Sequence, residues 1–536
     1  MAIEEKIKQA DDALIKNDLP LAKELIDQLE IDFSTLDNNL PNMYLLSNFG
    51  GILIDYGSWV NDLKIIKRGV RKIKKIEDFI QKTQLPIAHF YNLANGYASM
   101  RKFTHFKAFE NGMIPVEYTN EKGNYRKAIQ IASIKKLEEH EKKILPDLYT
   151  NYGNTLDAMG RPVEALEFFN RALVINPNKP EALGNKAITL KHLAFYAYGY
   201  PHLFILEAKR LLELALDNSP HPQLKKYLIH HQDQIHEFIS THKSDLKIEQ
   251  YKTSTPKSTF HKFLREFCFK YGLYLTPSTL IGAREHQFFG DPLFISKMVA
   301  DLEDTNKFDR YITFFNQIKQ DYIFARYLLV QSQYRANHVD VIDQDVDYYY
   351  PLDYSITSSY GEMLKVSYRL AVDTLDKIGF FIKDYCKIMS PAVDEVNFRN
   401  AFSPNNRSNE LRPEIKHMKN KYLYGLMDLA SDMKRDGYYS FIYNRRNALT
   451  HRFISIHSEL MVKGGENKDI PRIHLQDFID ETIHALKILK SAIIYLILFV
   501  DVEEKKSIKK GVTVPIIPTK VEGVLRWEPY KGDKNV

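Results

Sequence analysis

Residues 148–177 read LYTNYGNTLDAMGRPVEALEFFNRALVINP, and this stretch indicates most clearly how the N-terminal half folds. Small residues stand where two neighbouring helices would approach each other closely: Gly153, Ala165 and Ala172. The sequence Gly160-Arg161-Pro162 is typical of a turn, and Pro177 is expected to stop the second helix because proline cannot continue one. The stretch therefore predicts two helices joined by a tight turn.

Weaker copies of the same pattern lie on both sides of this stretch. In residues 44–57, Asn48-Phe49-Gly50 aligns with Asn151-Tyr152-Gly153. Further copies are indicated, each with a later partner helix, at residues 90–100 and 182–193. The stretch quoted above resembles the tetratricopeptide repeat at nearly every defining position. We therefore expect roughly four or five helix pairs over residues 1–240.

Stacked helix pairs of this kind form a curved solenoid with a concave face, because each repeat packs only on its neighbours. That face commonly holds a peptide or a protein partner, which is the use we expect here. A spacer or a dimerisation scaffold is the alternative use of the same architecture. The sequence does not identify the partner.

The C-terminal half is predicted to be a helical bundle over residues 310–505, after a linker and irregular connecting segment at residues 241–309. Apolar residues recur with helical spacing in several long segments: 314–335, 358–389, 439–456 and 475–502. We expect these helices to surround one core, interrupted by an insertion rich in Pro and Asn. Residues 506–536 contain a β-branched, Pro-containing run and are expected to form an extended tail. The predicted fold class is therefore all-α.

The motif with the clearest chemistry is Arg446-Asn447-Ala448-Leu449-Thr450-His451, inside the third of these segments. Asn447 and His451 are four residues apart and share one helix face, while Arg446 lies on the neighbouring flank. The chain contains two further Arg-x4-His matches: Arg412/His417 and Arg452/His457. Proline follows the arginine of the first, and apolar core residues follow that of the last. The middle match alone has a second hydrogen-bonding side chain beside its arginine.

The segment YNRRNALTH, residues 443–451, resembles the signature of the HEPN superfamily of small α-helical ribonucleases. That signature is an arginine, a polar residue, three further residues and a histidine, in a late helix of a bundle. The resemblance covers about residues 310–505 and implies catalytic roles for Arg446, Asn447 and His451. It also implies metal-independent endoribonuclease activity in a composite cleft between the subunits of a homodimer. By the same resemblance, such proteins commonly act as toxins or effectors of antiviral defence.

Cleavage of RNA without a metal requires two proton transfers. The ribose 2′-hydroxyl loses a proton as it attacks phosphorus, and the 5′-oxygen gains one as it leaves on the opposite side. We expect His451 to act as general acid or base and Arg446 to bind the phosphate and stabilise the transition state. Asn447 would orient the phosphate or the imidazole. One chain supplies one such histidine, so a symmetric dimer would supply both proton-transfer groups.

Charged residues near the motif leave alternatives open. Arg445 and Arg452 flank it and would either contact neighbouring phosphates of bound RNA or carry solvated charges. Asp373 and Asp376 lie on the long helix before the motif, where an acidic residue would pair with Arg446 if the two helices faced each other. For these acidic side chains we favour solvation on the helix surface.

At 536 residues the chain is long enough for two or more domains, and its net charge of +6 permits RNA contact without requiring it. Cys268 and Cys386 are far apart, which excludes a disulfide framework or a cysteine metal site and fits a cytoplasmic, reducing location. The apolar run at residues 491–500 is too short to span a membrane, so a buried helix is expected. We expect no cofactor, no metal and no membrane association.

Two other classes of function compete with a ribonuclease. In the first, an adaptor protein, the repeats bind a partner and the bundle only dimerises or binds nucleotide or RNA. Arg446 would then form a surface ion pair, and His451 would be a structural histidine. The second, a metal-dependent nuclease or phosphatase, requires clustered acidic and histidine ligands, and the sequence shows no cluster with metal spacing. We favour the ribonuclease because the arginine, the amide and the histidine are all present.

Overall fold

The structure, a computed structural model, describes residues 2–37, 39–79, 86–194, 201–241, 255–281, 290–295, 297–299, 306–334, 341–349, 354–390, 392, 395–404, 410–459, 471–507 and 513–515. Its elements are almost all helices, so the predicted all-α class is confirmed, and each strand among the described residues has only three residues. An N-terminal array of paired helices packs against a C-terminal bundle.

The N-terminal array consists of α1 (Ile3–Ile15), α2 (Leu19–Ser34), α3 (Leu40–Trp59), α4 (Leu63–Lys74), α5 (Ile87–Glu110), α6 (Val116–Ile134), α7 (Glu139–Ala158), α8 (Pro162–Ile175), α9 (Pro180–Ala194), α10 (Pro201–Asp217) and α11 (Pro222–Thr241). Consecutive helices pack as pairs, from α1 with α2 to α9 with α10, and α11 packs on α9 and α10. Each pair contacts the next, as expected for a solenoid.

Local signals in the sequence explain how these helices begin and turn. The side chains of Asp18, Asn39 and Asp62 accept hydrogen bonds from backbone N–H groups in the first turns of α2, α3 and α4. Gly160, in the turn between α7 and α8, has a φ of +86°. A Cβ atom there would also collide with the backbone of Lys421 in the bundle. The predicted turn thus needs glycine for its conformation and for a close approach.

The bundle and the segment before it contain α12 (Thr259–Lys270), α13 (Pro277–Ile281), α14 (Lys307–Tyr334), α15 (Ser359–Tyr385), α16 (Lys421–Asp432), α17 (Ser440–His451) and α18 (Leu475–Ser507). Two small sheets accompany them, antiparallel β1 (Lys297–Val299) with β4 (Thr513–Pro515), and parallel β2 (Ser455–His457) with β3 (Arg472–His474). The helices α14, α15 and α18 pack on one another, while α16 packs on α18 and α17 packs on α15.

The connecting segment at residues 241–309 differs from the irregular structure predicted for it, because it contains α12. Ser258 caps this helix by accepting a hydrogen bond from the N–H of His261 at 3.1 Å. Phe260 and Phe263 pack against Tyr334 at the end of α14, with ring centroids 5.1 and 5.3 Å apart. Aromatic residues at helical spacing therefore extend the bundle. The predicted linker residues 242–254, and residues 282–289, lie outside the described residues.

The motif helix is shorter than the segment predicted over residues 439–456. It ends at His451, and Arg452 is extended, with φ −140° and ψ −171°. Residues 455–457 instead form β2 beside β3, and the N–H of Ile356 donates to the carbonyl of Ile456 at 2.8 Å. In the predicted tail, residues 513–515 pair with β1, and the residues that follow them lie outside the described part of the chain.

The last helix, α18, forms a large part of the bundle core. Within the described residues, Leu475–Lys506 is the one helical segment long and apolar enough to cross a membrane by length and composition. However, 89% of its most apolar 18-residue window is buried inside the protein. Phe499 and Val500 have no exposed surface at all. The prediction of a buried helix at residues 491–500 is therefore confirmed.

A buried network of charges joins the array to the bundle. Asp432 of α16 accepts two hydrogen bonds of 2.6 Å from Arg126 of α6 and one of 2.8 Å from Lys122. Asp428, one turn earlier, accepts from Lys122 and from Arg161 of the α7–α8 turn, each at 2.5 Å. All five side chains are buried. Separating the partners of a buried ion pair is strongly destabilising, because it leaves a buried charge uncompensated. The network therefore resists displacement of the array relative to the bundle.

Candidate functional site

The motif helix α17 has one buried face and one exposed face. Ile442 and Tyr443 are each 1% exposed, and the Tyr368 hydroxyl of α15 donates to the carbonyl of Ile442 at 3.2 Å. The exposed positions are Phe441, Asn444, Asn447, Thr450 and His451. The helix is therefore anchored on α15 by its apolar side and presents the polar part of the motif to solvent.

Arg446 lies between these two faces and is held by two carboxylates of α15. Its Nη2 atom donates to Asp376 Oδ2 at 2.8 Å. Its Nε atom lies 3.0 Å from Asp373 Oδ1, an ion pair whose angle is too poor for a hydrogen bond. The Arg446 side chain is 21% exposed. The predicted solvation of these two carboxylates is therefore wrong, because α15 and α17 are rotated so that both carboxylates face Arg446.

Asp376 connects the arginine to the buried side of the bundle. Its Oδ1 atom accepts a hydrogen bond from the Tyr443 hydroxyl at 2.7 Å and another from the N–H of Phe398 at 2.9 Å. Burial, reinforced by the negative charge of Asp376, raises the pKa of Tyr443 well above its usual value, so the phenol keeps its proton and remains a donor. With three donors, the Asp376 carboxylate is fixed in orientation, and it fixes Arg446 in turn.

Asn447 and His451 occupy the exposed face as predicted from their spacing. The side-chain oxygen of Asn447 accepts a hydrogen bond from Arg446 Nη1 at 3.2 Å, so these two motif residues are in direct contact. His451 is exposed and is the last residue of α17. Among the described residues, no side-chain hydrogen bond joins His451 to either of them. The structure therefore brings two motif residues together and leaves the histidine accessible on the next turn.

The two flanking arginines differ in their surroundings. Arg445 forms a two-pronged ion pair with Glu481 of α18, with N–O distances of 3.0 and 3.1 Å. This pair holds the guanidinium against the bundle, and contact with an RNA phosphate would require its release. Arg452 is exposed just after the helix end. Arg452 is thus the better placed of the two for a neighbouring phosphate, and RNA contact by either residue stays a prediction.

The other two Arg-x4-His matches have one buried member each. Arg412 is 7% exposed and donates to the carbonyl of Asn400 at 2.8 Å, whereas its partner His417 is exposed. In the last match Arg452 is exposed, but His457 is 1% exposed within β2. Only the middle match places its arginine partly, and its histidine fully, on an accessible surface.

Within the described residues, no three His, Cys, Asp or Glu side chains are arranged to hold a metal ion. The pKa of Asp373 is raised because partial burial outweighs the nearby charge of Arg446. Both cysteines are free thiols, and burial raises the pKa of Cys268 to about 12. The motif itself supplies a guanidinium, an amide and an imidazole.

Part of the chain is similar to a known protein family. Residues 302–503 match the family described as LA2681-like HEPN. These residues include α14 to α17, and therefore the whole motif helix, together with most of α18. The HEPN resemblance of the segment YNRRNALTH is thus confirmed for this region. No curated protein sequence matches the chain.

Solved structures similar to the chain were also found. One, from a study of PilF of Pseudomonas aeruginosa, has 14% identity and a TM-score of 0.29, and covers 45% of this chain and 87% of that one. Another, of the MamA protein, has 15% identity and a TM-score of 0.24, and covers 40% of this chain and 91% of that one.

Proposed function

We propose that the chain is a metal-independent endoribonuclease of HEPN type whose helical array controls cleavage. One observation carries the proposal: a HEPN-matching region presents Asn447 and His451 on an accessible face beside Arg446, which two carboxylates hold in place. A surface of this kind offers proton transfer and phosphate binding at one position.

In this mechanism the ribose 2′-oxygen attacks the adjacent phosphorus while the bond to the 5′-oxygen breaks. The products are a 2′,3′-cyclic phosphate and a 5′-hydroxyl. His451 moves a proton to or from one of these oxygens, and Arg446 binds the phosphoryl oxygens where negative charge develops. Asn447 orients Arg446 through the hydrogen bond that its oxygen accepts. Asp373, half exposed, is the partner that an incoming phosphate replaces most easily.

The second proton-transfer group comes, in this proposal, from a second copy of the chain. A two-fold dimer through the exposed face of α17 would place two histidines and two arginines around one phosphate. An exposed aromatic residue, Phe453, follows the motif and is 76% exposed, as a contact residue between subunits would be in one isolated copy. Light scattering should therefore show an even-numbered oligomer, and an active strict monomer would contradict the composite cleft.

The biological setting remains part of the proposal. A ribonuclease in the cytoplasm endangers its own host, so a sensing array attached to it is a sensible control. We propose that the concave face of the array receives a protein or peptide partner. Because the motif region resembles HEPN toxins, we propose that this chain acts as an effector of antiviral defence.

The central test is digestion of total RNA by the purified full-length protein in EDTA. The Arg446→Ala and His451→Ala variants should each lose about 100-fold or more of the cleavage rate. His417→Ala is the matched control, because His417 is the exposed histidine of another Arg-x4-His match, and it should cleave normally. Cleavage that survives both motif substitutions would remove the motif from the mechanism, and cleavage abolished by EDTA would revive the metal-dependent class.

End-group analysis of the products provides an independent test of the attack by the 2′-hydroxyl. Products should end in a 2′,3′-cyclic phosphate, and an all-DNA oligonucleotide of the same sequence should stay intact. Products with 3′-hydroxyl ends would contradict this mechanism.

A binding-only adaptor is the competing function, and one observation favours it. Arg446 already has two carboxylate partners, as a purely structural arginine would. An adaptor would form the same oligomer and leave RNA uncut at all enzyme concentrations. Cleavage lost in His451→Ala but normal in His417→Ala would exclude it.

A further inference from the structure

A cavity of about 770 Å³ lies between the array and the bundle, away from the motif helix's exposed face. Its walls come from α6, from residues 397–400, from the end of α16 and from the segment between α16 and α17. The cationic side chains that line it are Lys122, Arg126, Lys127, Arg399, Lys434 and Arg435, and the carboxylates are Asp428, Asp432 and Asp436. The cavity is thus lined by an excess of positive charge, contributed by both halves of the chain.

The carboxylates deepest in the cavity are already neutralised. Asp428 and Asp432 are bound by Lys122 and Arg126, and Arg161 binds both of them from behind. Among the other lining residues, the cations Lys127, Arg399 and Arg435 outnumber the single further carboxylate, that of Asp436. The excess of positive charge is therefore available to an anion that enters from solvent.

Two polar groups of the lining have donors that the protein leaves without a partner. Arg399 Nε and Ser431 Oγ are buried atoms with no hydrogen-bond partner among the described residues. The guanidinium of Arg399 lies 4.1 Å above the centre of the Tyr443 ring, which fixes its plane. Neither atom is accessible to solvent as the side chains stand, so a ligand with acceptor oxygens would satisfy these donors once the side chains turn into the cavity.

We propose that this cavity binds a phosphorylated small molecule of nucleotide size. Planar guanidinium groups match the geometry of phosphate oxygens, and Arg399 and Arg435 supply them on the bundle side. Lys127 supplies a further cation from the array. Ligands bound in cavities of roughly 300–1,000 Å³ have this size. Tyr438, also in the lining, offers an aromatic ring beside the phosphate-binding groups.

Occupancy of the cavity acts on the motif through a short series of contacts, an inference that rests on the proposed function. Arg399 packs on the Tyr443 ring, and the Tyr443 hydroxyl donates to Asp376, which holds Arg446. The N–H of Phe398, beside Arg399, donates to the same carboxylate. A ligand that draws Arg399 into the cavity therefore changes the support of the phosphate-binding arginine.

The binding test uses inorganic pyrophosphate and ATP as probes, adenosine as the unphosphorylated control, and titration calorimetry on the full-length protein without RNA. Both phosphorylated probes should bind and adenosine should not. The double variant Lys127→Ala/Arg435→Ala, whose residues are both exposed and come from opposite walls, should bind at least about tenfold more weakly. The matched control is Lys136→Ala/Lys143→Ala, which removes the same charge from exposed positions outside the cavity and should bind normally.

Several outcomes would overturn the proposal. These are an absence of binding by both phosphorylated probes at millimolar concentration, equal binding by the double variant, and equal weakening in the control. Displacement of pyrophosphate by RNA oligonucleotides far more strongly than by ATP would assign the cavity to the RNA path instead. Because no cleavage is measured, failure of the proposed ribonuclease activity leaves this test intact.

The coupling is read separately, from RNA cleavage with and without saturating pyrophosphate. In the wild-type protein the probe should change the cleavage rate severalfold. In Tyr443→Phe, which keeps the ring but loses the hydrogen bond to Asp376, the rate should respond much less. An equal response in both proteins would refute the path through Tyr443 and leave the binding site in place.

Discussion

At the scale of single residues, Asp376 is the side chain on which the geometry of the motif depends most. We predict that Asp376→Asn lowers the rate of RNA cleavage about 10- to 100-fold, because Arg446 loses a charged partner and its fixed position. The amide can still accept the hydrogen bond from Tyr443, so the fold should persist. The measurement is the cleavage rate in EDTA at saturating RNA. Asp321→Asn is the control, since Asp321 pairs with Lys377 at 2.5 Å on the same bundle.

An unchanged rate in Asp376→Asn would show that Arg446 does not need this carboxylate.

Only part of the geometry around the motif could be predicted from the sequence. The shared face of Asn447 and His451 follows from their four-residue spacing on one helix. The contact of Arg446 with Asp376 does not, because the two residues are 70 positions apart and their pairing depends on how α15 and α17 are rotated.

At the scale of elements, the decisive feature is that α17 stops at the motif histidine. The periodicity of apolar residues continues to Ile456 and predicts a longer helix. Helical and extended backbones compete there, because Ile454 and Ile456 are β-branched and alternate along the chain. Pairing with the parallel strand Arg472–His474 makes residues 455–457 extended. A local sequence pattern does not predict this pairing, because the partner strand lies further along the chain. As a result His451 stands at a helix end.

The anchoring of α17 gives the prediction for this scale. Ile442→Ala should lower the free energy of unfolding by about 2–4 kcal/mol, because Ile442 is 1% exposed and its loss leaves a cavity against α15. The measurement is the urea midpoint of the full-length protein. Asn444→Ala, on the exposed face of the same helix, should change it by less than about 0.5 kcal/mol. Equal effects of the two substitutions would mean that α17 is not packed as described.

At the scale of the whole molecule, the array and the bundle act as one unit because of the buried charge network. Asp432→Asn should destabilise the protein by about 3–5 kcal/mol, since Arg126 and Lys122 would be left buried without full compensation. Removing an exposed ion pair by Lys142→Ala should cost less than about 1 kcal/mol. Urea unfolding of both variants makes the comparison. A local sequence pattern could not predict this network, because Arg126 and Asp432 are 306 residues apart.

The same network predicts how stability depends on pH. Burial tends to raise the pKa of Asp432, but the charges of Arg126, Lys122 and Arg161 outweigh it and hold the pKa well below its usual value. A carboxylate with a lowered pKa stabilises the fold fully above the pKa of the unfolded chain, about 3.9, and this contribution is lost as the pH falls below it. Between about pH 5 and pH 3, the unfolding free energy should therefore fall more steeply for the wild type than for Asp432→Asn. Parallel curves from urea titrations over that range would show that the Asp432 carboxylate does not carry the acid sensitivity of the interface.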